Sequence, residues 1–290
     1  MMNVLVTGGK GQLAHCIKDV IKEQKGYNFI FVDYDELDIT NEKEVNSFFI
    51  NYKISYCVNC AAYTVVDKAE SESLLANSVN HLGVAYLANA CTLHNAVLIQ
   101  ISTDFVFDGA KNLPYTEEDT PNPISIYGDS KLKGENAIIK SLEKYFIVRT
   151  SWLYSEYGHN FLKTMIRLGN EKSELLVVND QLGSPTYAKD LAKFILKIIV
   201  EESQSYGMYH FSNEGQATWY DFAKSIFIKT NKDVNLKPIT TSDYPTPAKR
   251  PKYSLLDKTK VKKIFNLVIP HWEVSLSECI TRLNNIGLNE

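Results

Sequence analysis

Short apolar runs alternate with helical patterns through the first half of this 290-residue chain. Each run is rich in β-branched or aromatic residues and nearly continuous in hydrophobicity, as strands are when both faces of their sheet are covered. This alternation predicts βαβ units, a parallel sheet and right-handed crossovers that place helices on both faces. The predicted strands are residues 3–8, 28–33, 56–62, 96–103 and 145–151, and the predicted helices are 11–25, 41–53, 71–94 and 125–142.

The regular alternation stops after about residue 151. Helical and strand patterns continue, including a strand within 207–215 that leads into a helix opened by Thr218. We therefore predict an α/β fold: a Rossmann-type doubly wound parallel sheet with a smaller α/β substrate-binding domain. The predicted boundaries are 1–150 and 186–203 for the dinucleotide-binding domain, and 151–185 and 204–290 for the second.

Composition excludes several classes of function. The net charge is −3 and no basic block is present, which argues against nucleic acid as the main partner. The N-terminus lacks the features of a secretion signal, and the apolar run at 194–200 is interrupted by Lys197 and too short to span a bilayer. We expect a cytoplasmic protein without a membrane partner.

The five cysteines are an odd number, which favours reduced thiols. Cys57 and Cys60 form the sequence CVNC, which is either a redox or metal motif or two small residues of a buried strand. The second interpretation is favoured, because no further Cys or His pair stands at metal-ligand spacing.

A glycine-rich loop follows the first predicted strand. Gly8, Gly9 and Gly11 precede the first predicted helix, where glycines let backbone amides approach a pyrophosphate. The spacing is Gly8-x-x-Gly11-x-x-Ala14, and a methyl group at the last position is tolerable because that glycine mainly serves helix packing. The alternative is a simple tight turn, but the position at the start of an alternating α/β chain favours dinucleotide binding.

Two acidic residues follow the second predicted strand. Asp33 ends it and Asp38 lies in the sequence LDIT. Either carboxylate can bind ribose hydroxyls, with Ile39 over an adenine face, and either can instead be a helix cap or turn residue. Negative charge here disfavours a 2′-phosphate, whereas Lys10 can compensate for it. The choice between NADH and NADPH stays open.

Hydroxyls and a tyrosine–lysine pair follow the fourth predicted strand. Ser102, Thr103 and Asp104 fall at its carboxyl end, where open parallel sheets bind ligands, although such residues also form strand-end turns. Tyr127 and Lys131 lie four residues apart on a predicted helix, and so share one face.

A ketone that gains a hydride becomes an alkoxide and needs a proton. The pKa of a free tyrosine is about 10, and a nearby ammonium, here Lys131, lowers it. Alone, this pair is more typical of a solvated helix face. Combined with the glycine loop and the strand-end hydroxyls, it predicts a ketone reductase in which Tyr127 is the proton donor.

Seven stretches carry a further resemblance: TGGKGQLA, LDIT, NCAAYTVVDKAE, ISTDFVFDG, YGDSKLKGE, VRTSWLYSEYGHNF and DQLGSPTYAKDLA. Together they resemble the extended short-chain dehydrogenase/reductase family and, within it, the branch that reduces dTDP-4-dehydro-L-rhamnose. The resemblance extends from residue 4 to at least residue 254. It implies reduction of the C4 ketone of this nucleotide sugar by NADPH or NADH, in dTDP-rhamnose and surface polysaccharide biosynthesis.

The resemblance also implies roles for individual residues. Thr103 would orient the keto oxygen, Tyr127 would donate the proton, and Lys131 would support Tyr127 and bind the ribose. The implied cofactor-binding residues are Gly8, Gly11, Gln12, Leu13, Asp38, Ile39, Ala62, Tyr63, Thr64, Tyr127 and Lys131. The implied substrate-binding residues are Thr103, Asp104, Trp152, Asn160 and Arg250.

Two of these residues have an alternative interpretation. Trp152 follows the fifth predicted strand, where a tryptophan is either a ligand contact or part of the core. Arg250 can pair with a diphosphate, because guanidinium binds phosphate bidentately, or can form only a surface salt bridge.

The chain departs from the family pattern near the first helix. Some members dimerise through a divalent metal held by acidic residues there, but this chain has His15 at that place. We therefore expect no metal, and a homodimer stays open. Two other functions also stay open: a non-catalytic nucleotide-binding relative that regulates a partner, like the regulatory subunit of methionine adenosyltransferase, and a reductase or epimerase of another nucleotide sugar.

Overall fold

The computed structural model describes residues 1–21 and 25–287. Residues 22–24 of the predicted helix 11–25, and residues 288–290 of the predicted second domain, lie outside the described residues. The strands are β1 Met2–Thr7, β2 Tyr27–Val32, β3 Ile54–Asn59, β4 Val97–Thr103, β5 Tyr145–Thr150, β6 Leu153–Tyr154, β7 Glu174–Val178, β8 Leu182–Gly183, β9 Thr186–Tyr187, β10 Gly207–His210, β11 Ala217–Thr218 and β12 Asn235–Ile239. The helices are α1 Gln12–Val20, α2 Glu42–Tyr52, α3 Val66–Ala69, α4 Ser73–Asn77, α5 Val84–Leu93, α6 Ile126–Ser141, α7 Phe161–Glu171, α8 Ala188–Val200, α9 Trp219–Lys229, α10 Thr259–Phe265 and α11 Trp272–Gly287.

A six-stranded sheet forms the centre of the fold. Its order is β10-β5-β4-β3-β1-β2, and every neighbouring pair is parallel. From β1 the chain moves to β2 on one side and then to β3 on the other, so the order reverses between β1 and β3. Ligands of open α/β sheets bind at such a point, beyond the carboxyl ends of the strands. The predicted fold class is confirmed.

Helices cover both faces of this sheet, because the strands are apolar on both faces. One face carries α1, α8 and α10, packed through residues that include Ile17, Phe194 and Phe265. The other face carries α2, α5 and α6. Within the described ranges, no helix combines the length and apolar character needed to cross a membrane.

Many of the elements after β5 pack around a separate core. It contains α7, α9 and α11 with the parallel pair β7 and β12, and includes Leu162, Phe222 and Leu276. β10 lies within the predicted segment 204–290, yet it pairs with β5 in the central sheet.

Helix α6 sits unusually close to its neighbours. A Cβ added at Gly128 would lie 2.1 Å from the carbonyl oxygen of Phe105, and one added at Gly134 would lie 2.2 Å from that of Asn80. Asn80 belongs to a π-helical turn, Ser78–Gly83, that joins α4 to α5. The two glycines therefore set the distance between α6 and the rest of the sheet face.

We expect Gly134→Ala to lower the free energy of unfolding by about 1–3 kcal/mol, because overpacked side chains force the backbone apart. Urea denaturation measures this difference. Asn136→Ala, an exposed change on the same helix, is the control and should alter stability by less than about 0.5 kcal/mol. Equal stability of Gly134→Ala and the wild type would contradict the close packing.

Candidate active site

A cavity of about 890 Å³ opens at the carboxyl ends of the central strands. It is large enough for a dinucleotide and part of a second ligand. Its lining brings together most of the predicted site residues: Gly8, Gly11, Gln12, Leu13, Asp38, Ile39, Ala62, Thr64, Thr103, Asp104, Tyr127, Lys131, Trp152 and Arg250. Their roles there stay predictions.

The glycine loop has the shape that a dinucleotide requires. Gly8 adopts φ +64°, and a Cβ there would lie 2.8 Å from the backbone nitrogen of Ala61. Gly11 is the N-cap of α1 and offers no side chain to the first amides of the helix. Such amides have no intrahelical acceptor, and they attract anions such as a pyrophosphate. The residues present therefore fit a dinucleotide cofactor.

Acidic residues surround the end of the cavity next to β2. Asp33 accepts a hydrogen bond from the backbone nitrogen of Lys10 at 2.8 Å, so its carboxylate holds the glycine loop. Asp38 accepts from the backbone nitrogen and hydroxyl of Thr40 at 2.9 and 2.7 Å, which is the turn role weighed from the sequence. Lys10 lines the cavity and its ammonium pairs with the exposed Asp35 at 2.7 Å.

A buried chain of hydrogen bonds crosses three strands beneath the cavity. The hydroxyl of Thr7 donates to Asn59 at 2.5 Å, and the amide of Asn59 donates to Gln100 at 2.7 Å. Gln100 donates to the carbonyl oxygen of Ile101 at 2.8 Å, and the ammonium of Lys131 donates to the same oxygen at 2.6 Å. The glycine loop and the predicted catalytic lysine are thus connected through side-chain amides. No sequence motif predicted this series of hydrogen bonds, because the residues that form it lie on separate strands.

Tyr127 lies at the start of α6, which Ser125 caps through a hydrogen bond from the backbone nitrogen of Gly128. The phenol is buried beside Thr103 and Asp104. Burial raises the pKa of Tyr127 to about 12, the hydrogen bond with Thr103 acts against this rise, and the charge of Asp104 adds to it. We expected from the sequence that Lys131 would lower this pKa. The pKa is raised instead, because loss of hydration outweighs the other contributions, and the charge of Lys131 is not among them.

Lys131 is buried as well. Burial lowers the pKa of its ammonium to about 8, while Glu135 and Cys60 act in the opposite direction. Near neutral pH the phenol of Tyr127 therefore keeps its proton and Lys131 keeps its charge. A neutral phenol that shares a cavity with a buried ammonium is in the state in which a tyrosine can donate a proton.

Thr103 and Asp104 line the cavity together with Tyr127. The hydroxyl of Thr103 lies 3.1 Å from Asp104 Oδ1 and accepts from the backbone nitrogen of Phe105 at 3.2 Å. Burial raises the pKa of Asp104 to about 6. A hydroxyl and a carboxylate side by side offer both a donor and an acceptor to a bound sugar.

Two stacked tryptophans also line the cavity. The rings of Trp152 and Trp219 are 3.6 Å apart and nearly parallel, and both line the cavity. Trp152 adopts φ +45°, and a Cβ at Gly183 would lie 2.7 Å from its indole. Trp152 therefore lines the cavity and also packs against Gly183 and Trp219. Sequence reasoning missed Trp219, which lies 67 positions further along with no motif connecting the two.

Arg250 reaches the mouth of the cavity from the loop after β12. Its guanidinium pairs with both carboxylate oxygens of Asp67, at 3.0 and 2.7 Å. Asp67 also lies in the first turn of α3. The salt bridge weighed from the sequence is present. Arg250 also lines the cavity, so its contact with a diphosphate stays a prediction.

Two predicted site residues have their side chains engaged elsewhere. Tyr63 donates to Glu72 at 2.6 Å, and its backbone is held by Asn80. Asn160 caps α7 through the backbone nitrogen of Lys163 and donates to the carbonyl oxygen of Ser155. Neither is among the residues that line the cavity.

The cysteines and histidines give no sign of a metal centre in the part of the chain that the structure describes. All five cysteines are free thiols, with Cys57 buried and Cys60 half-buried. His15 stacks on Tyr157, with ring centroids 5.0 Å apart. Among residues 1–21 and 25–287, no group of three or more His, Cys, Asp or Glu side chains is arranged to hold an ion.

Comparison with known proteins identifies the family. A family model described as the RmlD substrate binding domain matches residues 2–285. The chain belongs to the RmlD family. A relative from Aggregatibacter actinomycetemcomitans named dTDP-4-dehydrorhamnose reductase is 44% identical, over 95% of this chain and 97% of its own length. The family predicted from the sequence is thereby confirmed.

Two solved structures of RmlD-type reductases share the fold closely. A dTDP-4-dehydrorhamnose reductase from Clostridium acetobutylicum is 46% identical, with a TM-score of 0.94 and coverage of 98% of this chain and 100% of its own. The Bacillus anthracis dTDP-4-dehydrorhamnose reductase, in complex with NADP, is 42% identical, with a TM-score of 0.93 and coverage of 97% and 100%.

We expect Gln100→Leu to destabilise the folded protein by about 1–3 kcal/mol, because the buried amide of Asn59 loses its acceptor. Urea denaturation measures the loss. Gln204→Leu, at an exposed position, controls for the change in side-chain type and should lie within about 0.5 kcal/mol of the wild type. If both variants were equally stable, the hydrogen-bond chain would not support the fold.

Proposed function

We propose that this protein reduces the C4 ketone of dTDP-4-dehydro-β-L-rhamnose to dTDP-β-L-rhamnose, using NADPH or NADH, in dTDP-rhamnose and surface polysaccharide biosynthesis. One observation carries the proposal: Thr103, Tyr127 and Lys131 meet in a single cavity that also contains the glycine loop. Membership of the RmlD family, whose relatives carry the name of this reductase, supports the substrate. The cofactor bound to the Bacillus anthracis structure supports NADP chemistry.

The dinucleotide would lie between the glycine loop and Lys131. When bound, it supplies the hydride that reaches the carbonyl carbon. Gly8, Gly11 and the first amides of α1 would bind the pyrophosphate, and Asp38 or Asp33 would contact the adenosine ribose. The ammonium of Lys131 would bind the other ribose while its second contact, the carbonyl oxygen of Ile101, holds it in place.

The proton comes from the protein. Thr103 would hydrogen-bond the keto oxygen, and the phenol of Tyr127 would donate its proton as negative charge develops there. Burial keeps Tyr127 protonated until that moment, and the positive charge of Lys131, one turn further along α6, would then stabilise the phenolate.

The substrate would occupy the part of the cavity between the two units. Trp152 offers an aromatic surface, Asp104 an acceptor for a sugar hydroxyl, and Arg250 a cation for the diphosphate. We propose that residues 1–150 and 186–203 hold the cofactor and that 151–185 and 204–290 hold the nucleotide sugar. β10 completes the sheet of the first unit.

The direct test is to mix the purified protein with dTDP-4-dehydro-L-rhamnose and follow the absorbance of NADPH or NADH. Oxidation of either cofactor is expected. A folded protein that oxidises neither would contradict the proposed reaction and leave a non-catalytic relative or an enzyme of another nucleotide sugar. Oxidation with another 4-keto nucleotide sugar, but not with this one, would change the substrate only.

Tyr127→Phe should lower kcat by about 100-fold or more, because only the proton donor is removed. NADPH binding, measured by its fluorescence, should stay near the wild-type value. The control is Tyr52→Phe, a change at a half-exposed tyrosine on α2, which should leave turnover intact. Wild-type turnover in Tyr127→Phe would exclude Tyr127 as the acid.

Lys10→Met should raise KM for NADPH several-fold and leave KM for NADH nearly unchanged. The ammonium of Lys10 lies on the cavity edge beside Asp33, and its exposed pair with Asp35 is weak enough to be exchanged for a 2′-phosphate. Lys43→Met, on the exposed side of α2, is the control. An equal change in both KM values would show that Lys10 does not contact the 2′-phosphate.

A further inference from the structure

A fully buried ion pair lies directly behind the predicted catalytic residues. Glu135 follows Lys131 by one helical turn, and Arg149 projects from β5. Arg149 Nε lies 2.9 Å from Glu135 Oε1 and Nη2 lies 2.6 Å from Oε2, with side-chain exposures of 2% and 1%. The hydroxyl of Ser102 donates to the same carboxylate at 2.5 Å.

Such a pair is expensive to bury, and apolar residues of similar size often stabilise a fold as well or better. Its position suggests another reason for its presence. Ser102 and Arg149 are direct neighbours in the β4–β5 register, so Glu135 binds α6 to two strands at one level. That level is one residue beyond Ile101, whose carbonyl oxygen holds Lys131, and one residue before Thr103.

Glu135 is also the carboxylate that acts on Lys131. Burial lowers the pKa of Lys131 to about 8, and the charge of Glu135 is the larger of the two contributions that oppose this. The other is Cys60, at the end of β3. Tyr127 lies one turn before Lys131 on α6, and the charge of Asp104 raises the pKa of Tyr127. Arg149 forms its ion pair with Glu135.

We propose that Glu135 is a positioning residue for the proposed reaction: fixed by Ser102 and Arg149, it sets the position of α6 on β4 and keeps Lys131 charged. The proposal rests on the proposed function for its kinetic consequence. It does not depend on it for cofactor binding, because a charged Lys131 binds the ribose whichever sugar is reduced.

The effect on pH dependence has a definite sign. The protonated ammonium of Lys131 is a stronger hydrogen-bond donor than the neutral amine and carries the positive charge, so NADPH affinity and kcat/KM fall as the pH rises through its pKa in the free enzyme. Glu135→Gln preserves the side-chain shape and an acceptor for Ser102 but removes the charge. The pKa of Lys131 then decreases further, and the alkaline limb of both profiles should move to lower pH by about one unit.

The experiment measures the dissociation constant of NADPH by fluorescence between pH 6 and 10, together with kcat/KM for dTDP-4-dehydro-L-rhamnose. Asp129→Asn removes an exposed carboxylate of α6 that pairs with Lys133, and should leave both profiles in place. Unchanged limbs in a folded Glu135→Gln protein would overturn the proposal. Absence of turnover in the wild type would overturn the proposed function alone, and the NADPH profile would still decide about Glu135.

Glu135→Gln leaves Arg149 buried without its counter-charge and can lower stability. The double variant Glu135→Gln/Arg149→Met removes that charge too. We expect its thermal midpoint to recover while its alkaline limb stays displaced, because Lys131 still lacks the carboxylate. If the double variant instead regained the wild-type limb, the displacement would come from the unpaired arginine, and Glu135 would have only a structural role.

Discussion

The structure depends on how helix α6 is seated on the end of strand β4. The carbonyl oxygen of Ile101 receives Lys131, the hydroxyl of Ser102 meets Glu135, and the hydroxyl of Thr103 meets Tyr127. Three consecutive strand residues thus bind three side chains spaced at one-turn intervals. Glycines on α6 allow the approach, since a methyl group at Gly128 would collide with the backbone. The same contacts hold α6 on β4 and position the predicted catalytic residues, so a displacement of the helix would disturb both.

Much of this arrangement could be predicted from the sequence. Strands covered on both faces must be apolar throughout, so β1 to β5 were visible as short continuous runs, and parallel strands bring their carboxyl ends to one edge. The glycine loop, Thr103, Tyr127 and Lys131 therefore had to converge once the fold was parallel. The place of β10 in the same sheet was not visible, because pairing between distant strands leaves no local pattern.

Other features depend on burial, which the sequence does not state. Loss of hydration is the largest influence on the pKa of Tyr127, and a spacing of four residues contains no information about hydration. The stacking of Trp219 on Trp152 and the pairing of Asp67 with Arg250 join segments with no shared motif. Asn160 has the right neighbours in sequence, yet its amide is used to cap α7.

The place of β10 also has a consequence for the order in which the protein can form during synthesis. A nascent chain that ends near residue 200 already contains the glycine loop, Tyr127 and Lys131, but β5 is still an open edge with its backbone groups unpaired. The pair between Asp67 and Arg250 must wait for a further fifty residues. Until β10 is synthesised, the exposed edge of β5 can pair with strands of other chains. Partly synthesised chains of this protein are therefore prone to aggregation.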